Sequence, residues 1–136
     1  MRNPVALLAA LALVSCAHDT PLASEPVDWA AVDERWSVHM VTLDPDGDTR
    51  VTRVWLAVVD GAGTVRTNHS RWARNLQRDP SLRLRVLGID YPLRVEFVDD
   101  TDATAAIDAA FREKYGWQDG PIGEHAFFMR LVPRAR

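Results

Sequence analysis

The sequence predicts an α+β domain, a six-stranded antiparallel split β-barrel with two to three helices. Six short segments are rich in β-branched and apolar residues, and turn residues separate neighbouring segments. Stretches with apolar residues at helical spacing interrupt them, in the order three strands, helix, two strands, helix, strand. Strands joined by short connections pair antiparallel. A sheet of this size can close on itself, with helices covering its ends.

The first half of the predicted domain contains one helix and three strands. A short helix is expected because Trp29, Val32 and Trp36 recur at helical spacing. Proline and glycine in the intervening segments favour turns. We expect the three strands to form an antiparallel meander. The predicted elements are a helix over 26–35, strands over 36–43, 51–59 and 64–68, and turns over 44–48 and 60–63.

The second half alternates helices and strands. Ser70 is a suitable N-cap for a helix that places Trp72 and Leu76 one turn apart, and Gly116 is a suitable residue to end the last helix. The predicted elements are helices over 70–78 and 102–115 and strands over 81–87, 91–98 and 125–132. The second hairpin is expected to turn at 88–90 and to face the core with Leu82, Leu84, Val86, Leu93, Val95 and Phe97.

The first residues have the parts of an export signal. Arg2 precedes an apolar run over 5–14, which is shorter than the roughly 20 residues of a membrane span. The tetrapeptide that ends at Cys16 (LVSC) resembles the lipobox of bacterial lipoproteins, in which the cysteine is lipidated. We therefore predict three parts, which are a signal peptide over 1–15, a lipidated Cys16 with a flexible tether over 16–25, and the split-barrel domain over 26–136.

Composition agrees with an anchored envelope protein. Cys16 is the sole cysteine, so no intrachain disulfide can form, and lipidation would consume its thiol. Ala17 after the cysteine points to the outer membrane, facing the periplasm, in an enteric-type cell. Cleavage would remove Arg2 and leave a net charge of about −4. A mildly acidic domain in this location is a poor candidate for binding nucleic acid.

Four segments resemble an uncharacterised bacterial family of unknown function, DUF2255. The segments are 54–60 (VWLAVVD), 65–76 (VRTNHSRWARNL), 106–116 (AIDAAFREKYG) and 128–133 (FMRLVP). The third is the most specific, because the family has the pattern I-D-A-A-aromatic-R-x-K-Y-G. The family is similar to the split-barrel superfamily of FMN-binding proteins and deazaflavin-dependent nitroreductases. The resemblance implies a split-barrel fold, a flavin-type cofactor (FMN or deazaflavin) and a homodimer, since FMN usually lies at a homodimer interface in that superfamily.

One group of residues is predicted to bind a small anionic ligand or a cofactor. A strand end and the positive end of a helix meet there, and guanidinium groups and free N–H groups suit a phosphate or carboxylate. Trp55 or Trp72 would flank a cofactor ring. The alternative is that the arginines solvate an exposed face while the tryptophans fill the core. The residues are Arg53, Trp55, Arg66, Thr67, Asn68, His69, Ser70, Arg71, Trp72 and Arg74.

Other motifs do not indicate a dedicated chemistry. The turn over 44–48 (DPDGD) has its glycine in the wrong place for a calcium loop, and the four histidines lack zinc-ligand spacing, so no metal is expected. No nucleophile elbow, P-loop or dinucleotide fingerprint is present, and no catalytic residue is assigned. Two hypotheses remain. One is a lipid-anchored ligand-binding domain, which as an enzyme would be a flavin- or deazaflavin-dependent oxidoreductase. The other is a non-catalytic envelope interaction lipoprotein.

Overall fold

The computed structural model describes residues 20–116 and 125–134. Within these residues the chain forms an α+β domain of three helices and seven strands. The helices are α1 (Trp29–Asp33), α2 (Arg71–Arg78) and α3 (Thr101–Tyr115). The strands are β1 (Val38–Leu43), β2 (Thr49–Val54), β3 (Ala57–Val59), β4 (Ala62–Thr67), β5 (Ser81–Val86), β6 (Ile89–Val98) and β7 (Phe127–Pro133). The predicted lipidation site, Cys16, lies outside the described residues.

The strands form one antiparallel sheet in the order β2-β1-β5-β6-β7-β4-β3. β2 and β3 are consecutive in the chain but lie at opposite edges of the sheet. A two-residue connection can join opposite edges only if the sheet curls and brings them together. The prediction of an α+β fold with a curled antiparallel sheet is confirmed.

The predicted number of six strands is wrong, because the segment 51–59 divides into β2 and β3. The chain leaves β1 after Val54 and joins β4 at Ala57, so the first three predicted strands do not form a simple meander. At this break, side chains of α3 form hydrogen bonds with the backbone of Leu56. Its amide donates to the Tyr115 hydroxyl at 3.1 Å, and its carbonyl oxygen accepts from Lys114 Nζ at 2.8 Å. These contacts replace the ladder hydrogen bonds that the break removes.

The two faces of the sheet bury two different clusters. The inner face holds the larger cluster, which includes Met40, Leu84 and Met129, and α2 adds Trp72 and Leu76 to it. The outer face near β3 and β7 is covered by α3, whose Ile107, Phe111 and Tyr115 pack against Ala57 and Phe128. The segment 51–59 contributes to both clusters through alternate residues, as its apolar pattern predicted.

α1 is shorter than predicted and packs on the sheet through a glycine. It begins at Trp29 because Asp28 accepts the Ala31 amide, and Val32 is its buried residue. A Cβ atom on Gly63 would lie 2.3 Å from the Trp29 ring, so only glycine allows this close approach. Trp36 lies beyond the helix and is 53% exposed, which contradicts its predicted place on the helical face.

The β5–β6 hairpin turns earlier than predicted. Leu87 and Gly88 have φ values of +50° and +75°, and they connect Val86 to its partner Ile89. This two-residue type I′ turn replaces the predicted turn over 88–90. Phe97 lies opposite the buried Met129 but is itself 44% exposed, whereas the other five predicted residues of the hairpin are buried. β7 also starts two residues later than predicted, at Phe127.

The chain before α1 pairs with this hairpin. Leu22 forms a parallel bridge with Asp90 at the start of β6. The Ala23 amide donates to Asp90 O and the Asp90 amide donates to Pro21 O, both at 2.9 Å. This part of the predicted tether is therefore held against the domain. Among the described residues, no helix combines the length and the apolar composition needed to cross a membrane.

Candidate functional site

A tight junction connects β4 to α2. The Thr67 hydroxyl donates to Ser70 Oγ at 3.2 Å, and the Ser70 amide donates to Asn68 O at 2.8 Å. Ser70 caps α2 as predicted, because its Oγ accepts the Ala73 amide at 3.3 Å. The junction therefore fixes both the start and the direction of α2.

α2 presents three arginines on one face. Arg71, Arg74 and Arg78 occupy positions i, i+3 and i+7, which a helix places on the same side. All three are exposed, while Trp72 and Leu76 on the other side are buried in the barrel core. The sequence of α2 thus separates a cationic outer face from an apolar inner face.

The arginine face lines a surface cavity of about 560 Å³, which we call the α2 cavity. The turn between β1 and β2 forms its opposite wall. Besides the three arginines, the lining residues are Asp44, Pro45, Asp46, Arg50 and Asn75. Four guanidinium groups face two carboxylates, so the lining has an excess of positive charge.

Asn75 connects the two walls of the α2 cavity. Its Nδ2 donates to Thr42 Oγ1 and to Asp44 Oδ1, both at 3.0 Å. Asp44 Oδ1 also accepts from Arg50 Nε at 2.8 Å. The bond from Arg50, followed by that from Asn75, holds the pKa of Asp44 below its ordinary value of 3.8. Asp44 is therefore ionised near neutral pH and orients Arg50 at the cavity wall.

The arginines of α2 differ in their existing contacts. Arg78 Nη2 donates to Leu43 O at 2.7 Å, and Arg74 Nη2 donates to His69 O at 3.2 Å. Arg71 makes no side-chain hydrogen bond or ion pair with the residues that the structure describes. Because a guanidinium has five N–H donors, all three retain donors for an anion in the cavity.

Arg66 lies away from the α2 cavity, although the sequence grouped it with Arg71. Its side chain is buried under α3, where it pairs with Asp108. Its guanidinium carbon lies 4.6 Å from the centre of the Phe111 ring. Arg66 therefore joins β4 to α3, and the structure does not bring its charge together with that of Arg71.

The two predicted ring partners also lie outside the cavity lining. Trp72 is buried in the barrel core. Trp55 stacks on Tyr115 with ring centres 4.3 Å apart and meets Trp36 edge-on at 5.4 Å. Arg53 is exposed on β2, opposite His39 of β1. For these residues the structure agrees with the alternative of core packing and a solvated strand face.

Thr67, Asn68 and His69 lie at the junction that leads into α2. Asn68 Oδ1 accepts the Ala126 amide at 3.0 Å, and the His69 ring meets Phe127 edge-on at 5.2 Å. These contacts attach the junction to the start of β7. His69 is linked to the cavity through its carbonyl oxygen, which accepts from Arg74.

Of the eight residues that line the α2 cavity, the sequence prediction included only Arg71 and Arg74. Arg78 continues the spacing of Arg71 and Arg74, and this signal was present in the sequence. Asp44 and Asp46 were predicted as parts of a turn and not as parts of a site, and Arg50 was not singled out. Their position opposite α2 depends on tertiary structure, so local sequence gave no signal for it.

The curled antiparallel sheet with α2 and α3 on its sides defines a protein of the split-barrel class. The chain belongs to a bacterial family described as "Uncharacterized protein conserved in bacteria (DUF2255)", whose sequence profile matches residues 28–128. The family resemblance predicted from the sequence is therefore confirmed. Among curated proteins, none matches the chain.

Solved structures with the same fold include three instructive examples. The conserved hypothetical protein Rv2991 from Mycobacterium tuberculosis has a TM-score of 0.66 and 21% identity, over 85% of this chain and 87% of that protein. The heme storage protein HutZ from Vibrio cholerae has a TM-score of 0.62 and 21% identity, over 76% and 84%. An F420-H2 dependent reductase, FDR-A, has a TM-score of 0.58 and 13% identity, over 72% and 94%. At these identities the likeness concerns the fold alone.

Proposed function

We propose that this chain is a lipid-anchored envelope protein whose domain binds a small anionic ligand in the α2 cavity. The observation that carries the proposal is the meeting of Arg50, Arg71, Arg74 and Arg78 around one cavity. Its volume of about 560 Å³ falls within the usual range for small-molecule sites. The expected ligand carries a phosphate or carboxylate group, since guanidinium forks bind both groups with paired hydrogen bonds.

Three features make the site suitable for an anion. The arginines lie on a helix and a strand edge, which hold them more firmly than a loop would. Arg78 is already oriented by Leu43 O, so binding would restrict it little. Arg71 stands at the first position of α2, where the positive end of the helix adds to its charge.

The α2 cavity suits the anionic group of a cofactor better than its ring. No aromatic side chain is among the described residues that line it. The fold is shared with a heme storage protein and an F420-dependent reductase, and heme, F420 and FMN all carry carboxylate or phosphate groups. These three compounds are therefore the first ligands to test. A bound flavin would supply redox chemistry, and the protein would position it.

The membrane part of the proposal is supported by the N-terminal sequence. The lipobox-like tetrapeptide at Cys16 and the short apolar run before it motivate an anchor at the periplasmic face of the outer membrane. Labelling cells with a fatty-acid analogue tests it, and the expected result is incorporation in the native chain and none in Cys16→Ser. Equal incorporation, or none in either, would overturn the anchor.

Ligand binding can be tested by titrating the purified protein with FMN, F420 and hemin. We expect saturable binding of at least one compound, a higher melting temperature and weaker binding in Arg71→Ala. At a ligand concentration 100 times Kd the stabilisation should be about 2.7 kcal/mol. Lack of binding by all three at high micromolar concentration would contradict a cofactor site and favour the rival interaction protein. A bound flavin would justify assays with electron donors.

A further inference from the structure

The end of the barrel opposite the α2 cavity carries an exposed apolar surface. Within the described residues seven large apolar side chains are exposed, and four of them lie at this end. We call this group the hairpin-end surface. It consists of Leu22 (62% exposed), Trp36 (53%), Leu87 (77%) and Ile89 (38%). Trp36, Leu87 and Ile89 line one groove, and Leu22 pairs beside Ile89 at the start of β6.

The turn of the β5–β6 hairpin places leucine where its backbone is unfavourable. Leu87 has φ of +50°, a conformation that favours glycine, asparagine or aspartate. The β3–β4 hairpin has nearly the same turn, with φ of +50° at Asp60 and +75° at Gly61, and there the preferred Asp-Gly pair is present. A side chain that is strained and 77% exposed contributes little to folding. Its apolar character calls for a different explanation.

The predicted lipid anchor leads directly to this surface. Pro21 accepts the Asp90 amide, so the chain from Cys16 reaches the domain at the hairpin. Cys16 lies five residues before Pro21, a distance of at most about 18 Å even in a fully extended chain. A lipid on Cys16 would therefore keep the hairpin-end surface close to the bilayer, whichever path those residues follow.

We infer that the hairpin-end surface docks on the bilayer that holds the anchor, with Leu87 and Leu22 in contact with lipid. The inference rests on the lipid anchor proposed above. Exposed leucine and isoleucine gain from contact with the apolar part of the membrane, and tryptophan is favoured at its interface. The anchor alone would leave the orientation of the domain free, whereas docking fixes it and turns the α2 cavity away from the membrane.

Site-specific labelling of the full-length lipidated protein tests this inference. In Leu87→Cys the new thiol is free while Cys16 is blocked by lipid, so an environment-sensitive fluorophore such as NBD reports on position 87. The matched control is Gln77→Cys, an exposed position on α2. Gln77 lies close to the start of β5, and the hairpin turn is about 17 Å away along that strand. Both proteins are placed in vesicles of phosphatidylethanolamine and phosphatidylglycerol, with and without brominated lipid.

The expected result is a blue-shifted emission at position 87 and a loss of intensity with brominated lipid, with neither change at position 77. Equal emission at the two positions in membrane-held protein would overturn the docking. Failure of the anchor gives a different result, because the native chain would wash off membranes and its Cys16 would react with the thiol reagent. That result would remove the basis of the docking as well.

A second reporter keeps the test valid if Leu87→Cys does not fold. NBD on Leu22→Cys should show the same lipid contact, and adding Leu87→Asn should reduce it. Asparagine suits the left-handed turn better than leucine, so this change should leave the melting temperature unchanged or higher. Unchanged quenching at position 22 in a folded Leu87→Asn protein would contradict a role for the hairpin in docking.

Discussion

Arg66 and Arg71 lie five residues apart in the chain and have opposite surroundings. Arg66, at the end of β4, is buried with Asp108 beneath α3. Arg71, at the start of α2, is exposed at the α2 cavity, and its side chain makes no hydrogen bond or ion pair with the described residues. One arginine connects a helix to the sheet, and the hydrogen-bond donors of the other remain exposed. Charge alone therefore does not identify the site, and burial with a partner decides the role of each arginine.

The largest effect is expected on the free energy of unfolding when Arg66 is replaced. Arg66→Ala should lower the free energy of unfolding by about 3–5 kcal/mol, because it removes the guanidinium of Arg66 from its buried ion pair with Asp108. Urea denaturation measures this change. The control is the double variant Arg66→Met with Asp108→Leu, which removes both charges and should cost much less. A loss below about 1 kcal/mol in Arg66→Ala would show that the pair is not a structural link.

Arg71 should give the opposite result in the same experiment. Arg71→Ala removes an exposed side chain, so the free energy of unfolding should change by no more than about 0.5 kcal/mol. If Arg71→Ala destabilised the domain as strongly as Arg66→Ala, the distinction between the two arginines would be wrong. The comparison also shows that Arg66→Ala is unsuitable as a test of ligand binding, because loss of the fold would mimic loss of the site.

Removing the negative charge of Asp44 from the wall of the α2 cavity should strengthen ligand binding. Asp44 competes with an anionic ligand for Arg50, and it is ionised near neutral pH because its pKa is lowered. Asp44→Asn should therefore strengthen binding of FMN about two- to fivefold, the modest change expected for one exposed charge interaction. Calorimetric titration measures it. Asp60→Asn, an exposed change in the β3–β4 turn, is the control. Weaker binding in Asp44→Asn would show that this carboxylate assists the ligand.

The smallest effect concerns Lys114, which lies on the α3 side with Arg66. Burial lowers the pKa of Lys114 below 10.5, against the attraction of Asp33. The unfolded chain then holds a proton that the folded chain has lost in the window just below pH 10.5, so stability should rise with pH through that window. Urea denaturation between pH 8 and about 10.5 should show a steeper rise in the native protein than in Lys114→Met. Equal slopes would contradict the lowered pKa.

Most of the fold was predictable because it depends on local patterns. Alternation gave the buried residues of β5 and β6, and Ser70 and Gly116 marked the bounds of α2 and α3. The division of the segment 51–59 was not predictable, because the alternation of Val54, Leu56 and Val58 continues through the break. The break is stabilised by Tyr115, which lies far along the chain. The early hairpin turn was missed because Leu87 is an unusual residue for a left-handed position.

The candidate site was predictable only in part. Arg71 and Arg74 were predicted from their place near the start of α2, and the family was predicted from its motifs, whereas Arg78 was missed. The sequence could not separate Arg66 from Arg71, because the partner of Arg66 is Asp108, 42 residues further along the chain. The wall formed by Asp44 and Arg50 depends on how the first hairpin packs against α2. Local sequence patterns do not predict a tertiary contact of this kind.

The most direct test of the central claim compares FMN affinity in Arg71→Ala and Arg53→Ala. Both variants remove one exposed arginine, but only Arg71 lines the α2 cavity. Calorimetry at physiological salt should show binding weakened about tenfold or more in Arg71→Ala, the loss expected for a charge-assisted hydrogen bond, and almost unchanged in Arg53→Ala. Equal weakening in both would mean that FMN responds to overall charge, and unchanged binding in Arg71→Ala would place the ligand outside the α2 cavity.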